Sequence, residues 1–369
     1  MAQRILVGCF EVPGWGGAST SAYRLFEMMQ CDGLAISFLN IIASDDARSF
    51  RALFGDDVGN PRKLSGVWNC FLKEPTYFPH PELEDLIRHI CPDIIVAVGW
   101  IAALLLKRAA PQRRVIYITS GCDQMKLYVE KYGVDFLSVA RNNMNSEIAP
   151  FRPSLLEKET VESCDFIITH SDMNLALYRY FFPSFAGKIY QRVIWFAEWI
   201  YRDACEYASL AKPFDERDID LIFIASDWTR PEKNFSWVRS IASRTSDLKV
   251  HVIGESNARI PNAEHDGSVT DRRVFFALLG RAKALACPSL FDAAPGILFE
   301  GAALGCNLVA SRNCGNWSLC NEDLVADPFS LDSFVDKIRL AQTRFYADHM
   351  QRFLESGSYS DLVDTVLVF

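Results

Sequence analysis

Short, almost uninterrupted apolar runs alternate along the chain with longer stretches of mixed apolar and polar character. The runs are Ile5–Phe10, Ile94–Val98, Val115–Thr119, Phe166–Thr169, Val193–Phe196, Leu221–Ala225, Val250–Ile253, Ala284–Cys287 and Asn307–Ala310. They are rich in β-branched residues and bounded by Gly, Pro, Ser or Asp, which is how strands covered by helices on both faces read. Between them, Ala18–Met29, Glu82–His89 and Val274–Lys283 place apolar residues at helical spacing. This alternation predicts an α/β protein built on parallel sheets. The pattern starts afresh near residue 218, after the polar, Pro213-containing stretch Tyr201–Arg217. Two doubly wound, Rossmann-like halves are therefore expected, residues 1–200 and 201–350, followed by a final segment, 351–369.

Composition narrows the classes. Half of the 369 residues are hydrophobic and 23% are charged, which excludes disordered and fibrous chains. A net charge of −8 leaves no broad basic field for nucleic acid. No apolar run approaches the ~18–20 residues needed to cross a bilayer; Ile94–Leu106 is broken by Gly99 and Trp100 and reads as a strand followed by a helix. The run Ile101–Leu106, followed by Lys107, Arg108, Arg113 and Arg114, has two readings: a core helix with a basic end, or a face resting on anionic lipid. Eleven cysteines, an odd number without a C-x-x-C, suit free thiols in a reducing, cytoplasmic setting. Met1-Ala-Gln-Arg leads directly into the first apolar run, with no signal-peptide pattern.

Three clusters carry candidate chemistry. At the first strand–helix junction, Gly14, Gly16 and Gly17 precede Ser19 and Thr20, so a bare backbone and a capped helix start could receive an anion. The dinucleotide spacing G-x-G-x-x-G is absent, which argues against NAD. Just beyond the Leu221–Ala225 run, Arg230 and Lys233 fall at the carboxyl edge of the sheet, where two cations suit a diphosphate. Beyond the Ala284–Cys287 run, Asp292 and Glu300 are separated by seven residues, one in a loop and one in the following helix. Carboxylates so placed can accept hydrogen bonds from sugar hydroxyls. His80, His89, His251, His265 and His349 show no metal-ligand spacing, and His170, after the Phe166–Thr169 run, reads as a structural histidine. Asp218-Ile-Asp220 mimics a metal-binding D-x-D but precedes a strand instead of ending one.

Taken in order, these pieces resemble glycosyltransferase family 4, of the GT-B class. Residues 220–325 read Arg230-x-x-Lys233-Asn, Val252-Ile-Gly254, Ala286-Cys-Pro-Ser289, Asp292, Pro295-Gly296, Glu300, Gly305 and Leu308-Val-Ala-Ser311. Gly16-Gly17 and the Glu159–Ser171 segment agree more loosely with the amino half of that family. The resemblance implies two Rossmann-like domains facing a cleft and retaining transfer of a sugar from a nucleotide-diphosphate donor, without metal or other cofactor. The acceptor would be a glycan or lipid-linked saccharide, as in polysaccharide biosynthesis, held mainly by the amino half, with peripheral membrane contact as one reading. The final segment 351–369 would pack back on the amino half, as chains of that fold often do. Carried over by position, Arg230 and Lys233 clamp the diphosphate, and Asp292 contacts the donor sugar. Gly16, Gly17, Gly254, Pro295, Gly296, Ile297 and Glu300 line the donor, with Glu300 on the ribose. Three departures stand out: Asp292 replaces the usual Glu, Ser120-Gly121 replaces a His-Gly, and the arginine lies three residues before Lys233, with Trp228 at its usual place. A nucleotide-sugar epimerase of the same fold and a catalytically silent carbohydrate- or partner-binding module are the alternative readings.

Overall fold

A computed structural model describes residues 3–10, 17–43, 66–72, 80–119, 155–191, 196–355 and 359–368. Their contacts group them into two compact units. One holds the described residues up to 119, with 155–191 and 359–368; the other holds residues 196–355.

The first unit is a seven-stranded, wholly parallel sheet. Its strands are β1 (Arg4–Phe10), β2 (Ala35–Ala43), β3 (Val67–Leu72), β4 (Ile94–Val98), β5 (Arg114–Ile118), β6 (Phe166–Thr169) and β7 (Ile189–Gln191), in the order 3-2-1-4-5-6-7. The central strand β1 buries five successive residues, Ile5 to Cys9. Its register sets Val7 against Phe38 on one side and Val96 on the other. Helix α1 (Gly17–Cys31) follows β1, α2 (Pro81–Ile90) precedes β4, and α3 (Trp100–Ala109) follows it. Helices α4 (Leu155–Ser163) and α5 (Asp172–Phe181) flank β6. Gly8 lets α3 lie close on the sheet, because a Cβ there would stand 2.5 Å from Leu106 Cδ1.

Helix α3 carries the basic apolar run. Ala102 to Leu106 are all buried. Lys107 pairs with Asp165 at 3.0 Å, and Arg108 makes a two-pronged bond to Glu159 at 2.7 and 2.6 Å. The apolar face is therefore core, and both helix cations are paired within the unit.

The second unit carries a six-stranded parallel sheet. Its strands are β8 (Ile219–Asp227), β9 (Val250–Glu255), β10 (Ala263–Gly267), β11 (Ala282–Cys287), β12 (Asn307–Ser311) and β13 (Val325–Ala326), ordered 10-9-8-11-12-13. Leu221 and Phe223 of β8 and Val252 of β9 form its core with Val238 and Ile241 of α7 (Phe235–Arg244) and Phe334 and Ile338 of α10 (Leu331–Leu340). Helices α6 (Ala197–Cys205), α8 (Arg272–Leu279) and α9 (Gly296–Ala303) complete the part that bears on function; α11 (Met350–Glu355) and α12 (Tyr359–Val368) end the chain.

Where expectation and structure differ, the causes are local. The sequence pattern extends a helix to Lys283, but α8 stops at Leu279 and β11 already begins at Ala282. Strands β2, β3, β7, β10 and β13 carry weak signals. Asn40 on β2 and Asn69 on β3 interrupt the apolar alternation and bond each other at 2.8 Å, and β10 reads Ala-Glu-His-Asp-Gly at the sheet edge. The run Val193–Phe196 lies outside the described residues except for Phe196, a turn ahead of α6. The stretch 201–217, read as a connection, folds onto the second sheet. Its buried Arg217 donates to the carbonyls of Lys212 at 3.0 Å, Ala282 at 2.7 Å and Leu304 at 2.6 Å. Replacing Arg217 with Ala strands three carbonyls, two of them in buried contacts, and is expected to lower the stability of this unit by ~2–4 kcal/mol. Urea denaturation followed by tryptophan fluorescence measures it; an unchanged midpoint would refute the anchoring role.

Candidate active site

The candidate residues of the second unit gather where the loops leaving β8 and β11 meet. Strand β8 shifts register against β9 between Ile224 and Asp227. Gly254, near the end of β9, has φ +121°, and a Cβ there would fall 1.7 Å from the Ala225 carbonyl oxygen. No other residue tolerates both constraints. The primary role of this glycine is therefore the close approach of two strand ends. Trp228 fixes the same crossing: its indole N–H donates to the Ile253 carbonyl at 2.9 Å and its amide to that of Glu255 at 2.8 Å. The tryptophan is core, and the position offers no cation.

Residues Pro231–Lys233 form one 3-10 turn, and Asn234 takes the left-handed conformation (φ 59°, ψ 50°) that starts α7. Asn tolerates that conformation better than most residues. Two bonds clasp this turn to the loop after β11. The Leu290 amide donates to the Glu232 carbonyl at 2.9 Å, and the Asn234 carboxamide donates to that of Pro288 at 3.0 Å. The clasp brings Lys233 and Asp292 together. The ammonium is hydrogen-bonded to the carboxylate, and the two side chains are only 18% and 14% exposed. Burial works against the Lys233 charge, but the adjacent Asp292 carboxylate outweighs it and holds the lysine above its ordinary pKa. Asp292 is fixed in turn through its own backbone, its amide donating to Asn313 O at 3.1 Å and its carbonyl accepting from Gly315 N at 2.8 Å.

Arg230 is arranged differently. Its guanidinium is bonded to Glu232, a buried carboxylate with no place in the sequence reading, and its side chain remains 43% exposed. The Pro-Glu-Lys tripeptide held the clue: a charged residue inside a tight turn between two cations. Arg230 and Lys233 thus each have a carboxylate partner.

Helix α9 begins at Gly296 with Pro295 as its N-cap, and the Leu298 amide closes the first turn onto the Pro295 carbonyl at 3.2 Å. The amides of Gly296 and Ile297 bond no other group among the described residues. Glu300 lies one turn further on, between α6 and α8, whose Asp203 and Arg272 pair with each other. Burial dominates its electrostatics and raises its pKa to about 7, opposed by Arg272 and assisted by Asp203. No hydrogen bond reaches its carboxylate among the described residues.

Other candidates separate from this site. Gly16, with Gly14, Ser120 and Gly121, lies outside the described residues, and Gly17 is the first residue of α1 in the other unit. Asp218 is bonded to Lys212 at 2.9 Å and Arg281 at 3.0 Å, and Asp220 to Lys283 at 3.0 Å, so the D-x-D look-alike is consumed by ion pairs at the amino end of β8. The hydrogen bonds from Arg281 and Lys212 hold the Asp218 carboxyl well below its ordinary pKa. His170 is buried beyond β6, and burial depresses its pKa to about 4, leaving it neutral at pH 7. The described cysteines are free thiols, most of them buried.

No protein-family model matches the sequence, and no curated protein is significantly similar to it. Solved structures do match over the whole length. Anabaena HepE, in complex with UDP and glucose, has a TM-score of 0.65 at 12% identity, covering 100% of both chains. Sucrose-phosphate synthase from Thermosynechococcus elongatus reaches 0.68 at 14% identity, over 98% of this chain and 97% of that one. The catalytic domain of Arabidopsis thaliana starch synthase IV, bound to ADP and acarbose, reaches 0.61 at 11% identity, over 99% and 98%. The chain has the GT-B fold.

Within this GT-B chain, Glu300 makes stability depend on pH in a defined sense. Between the ordinary glutamate range and about 7 the folded chain holds a proton that the unfolded chain has released, so stability falls as pH rises through that window. Glu300→Gln should remove the fall. The variant is expected to be more stable than the parent at pH 8, by roughly 2–3 kcal/mol, with the difference vanishing near pH 4. Thermal unfolding at both pH values measures this, and an equal offset at the two would refute it.

Proposed function

We propose that this chain transfers a sugar from a nucleoside-diphosphate sugar to a glycan or lipid-linked saccharide acceptor, with retention of anomeric configuration and without metal. The observation that carries the reading is the Lys233–Asp292 pair, held at the carboxyl edge of a parallel sheet one helical segment before Glu300. Three structural neighbours support it: one was solved with UDP and glucose, another with ADP and acarbose, and the third is a sucrose-phosphate synthase.

The chemistry follows from which atoms retain capacity. An ammonium has three donors, so Lys233 can keep Asp292 and still donate to a phosphate oxygen. As the bond from sugar to phosphate breaks, negative charge grows on the departing diphosphate, and a cation already fixed beside it stabilises that charge without reorganising. The free amides of Gly296 and Ile297 face the same demand from a helix start, where partial positive charge favours an anion. Arg230 supplies a more exposed, Glu232-bound charge. Asp292 retains acceptor positions for a sugar hydroxyl. Glu300, desolvated and unbonded, is suited to two ribose hydroxyls, whose donation favours its charged form.

Lys233→Ala should lower turnover by ~10²–10³-fold, about 3–4 kcal/mol in the barrier, the scale of a lost preorganised donor. Arg230→Ala should cost less, about tenfold, because its guanidinium is the more exposed of the two cations and its charge is better screened by water. The assay is release of UDP, ADP or GDP from matched sugar donors with oligosaccharide acceptors, with the product anomer read by NMR. EDTA is expected to leave the rate unchanged. Full activity in Lys233→Ala, an inverted product, or loss of activity in EDTA restored by Mn²⁺ would each overturn the corresponding part. Sugar isomerisation without acceptor would favour the epimerase, and absence of binding to any nucleoside diphosphate the silent module.

A further inference from the structure

We propose that Asn316 is a positioning residue for transfer, setting the start of α9 in register with Asp292; the proposal rests on the glycosyltransferase reading above. The four residues after Arg312 form a strap along the loop between β11 and α9. Asn313 donates its carboxamide to the Leu290 carbonyl at 2.9 Å. The backbones of Asn313 and Gly315 grip Asp292 from both sides, at 3.1 and 2.8 Å. Asn316 donates its carboxamide to the Pro295 carbonyl at 2.9 Å. One short segment therefore fixes Leu290, Asp292 and Pro295 together, and with them the spacing from the sugar-contacting carboxylate to the two free amides of α9.

The side chain of Asn316 is an expensive choice for a purely structural role. The residue is fully buried, and its Oδ1 has no partner among the described residues. Burying an unpaired amide oxygen is unfavourable, and an apolar side chain of similar size would avoid that penalty. The carboxamide is oriented by the Pro295 carbonyl, which accepts from its nitrogen. That carbonyl also accepts the Leu298 amide, so the direction of the bond from Asn316 bears on the first turn of the helix. Local rules broken at a stability cost are expected where function sets the geometry. The residue touches no reacting atom in this assignment; it acts through Pro295 and α9.

The test compares the full-length chain with Asn316→Leu, which removes the donor at similar volume, and with Asn316→Ser, which keeps a hydroxyl donor and serves if the leucine variant fails to fold. Three quantities are read: melting temperature, affinity for UDP and UMP by calorimetry (with ADP and AMP in parallel), and kcat with KM for the sugar donor. For Asn316→Leu the expected result is an unchanged or raised melting temperature. Monophosphate affinity should stay within ~3-fold, the diphosphate advantage over monophosphate should shrink, and kcat should fall by about 30-fold or more, as a displaced reacting geometry produces. Asn316→Ser should recover part of kcat. Parental kcat and an unchanged diphosphate-to-monophosphate ratio in both variants would overturn the proposal. So would parallel loss of both nucleotides together with melting temperature, since that is the signature of a structural role alone. If the parent binds neither diphosphate, the glycosyltransferase reading fails first and the positioning role falls with it.

Discussion

The arrangement of the second unit turns on a largely enclosed ion pair. Lys233 and Asp292 are far apart in sequence, and placing two charges in a poorly hydrated site is unfavourable unless their geometry is held. The sheet order supplies that hold. Strand β8 has β9 on one side and β11 on the other, so the chain leaving β8 and the chain leaving β11 depart in opposite directions and open a crevice at the switch point. Across it run the two clasping bonds, Leu290 to the Glu232 carbonyl and Asn234 to that of Pro288. The ion pair closes a contact the backbone has already made. That is why a flexible lysine can serve here as a fixed charge.

Charge in this site is local. The chain is acidic overall, and Arg230, Lys233 and Arg272 each have a carboxylate partner, Glu232, Asp292 and Asp203. A site of neutral pairs does not attract anions over long range. It can bind one at contact, because paired ammonium and guanidinium groups still have unused N–H donors. Selectivity for a diphosphate over small anions would then come from the spacing of donors, not from a strong field.

Much of this was legible in the sequence, and the exceptions have physical reasons. Central strands β1, β4, β8 and β11 announced themselves because burial on both faces demands continuous apolar residues. The edge strands β3 and β10 did not, since one side needs no partner and polar residues are tolerated there. The spacing of Asp292 and Glu300 placed both carboxylates near one helix start, but gave no hint that one would be paired and the other bare. That difference comes from Lys233 and from the Asp203–Arg272 pair, both long-range contacts. Glu232 and Asn316 were invisible for a related reason. Each looks like an ordinary polar residue in a turn, and only the tertiary fold buries it. The basic end of α3 shows the converse: its charge is plain in the sequence, but its partners Asp165 and Glu159 come from distant positions.

Several groups at one short helix, α9, carry no partner among the described residues. The Asn316 oxygen is buried against it, and the partly exposed Gly296 and Ile297 amides and Glu300 carboxylate make no hydrogen bond there; other buried atoms of the unit without a hydrogen bond lie on His251, Gln342 and His349. The donors sit at its start and the anionic acceptor one turn along. A ligand that satisfies them must carry an anion at one end and hydroxyl donors at the other, separated by roughly one helical turn, about 5 Å. A nucleoside diphosphate, with phosphates on one side of a ribose and free hydroxyls on the other, meets that requirement. A simple sugar lacks the anion, and inorganic phosphate does not span the distance. This pattern of open atoms agrees with the ligand class proposed above and is a different kind of support from the resemblance in sequence, because it depends on what the helix leaves open.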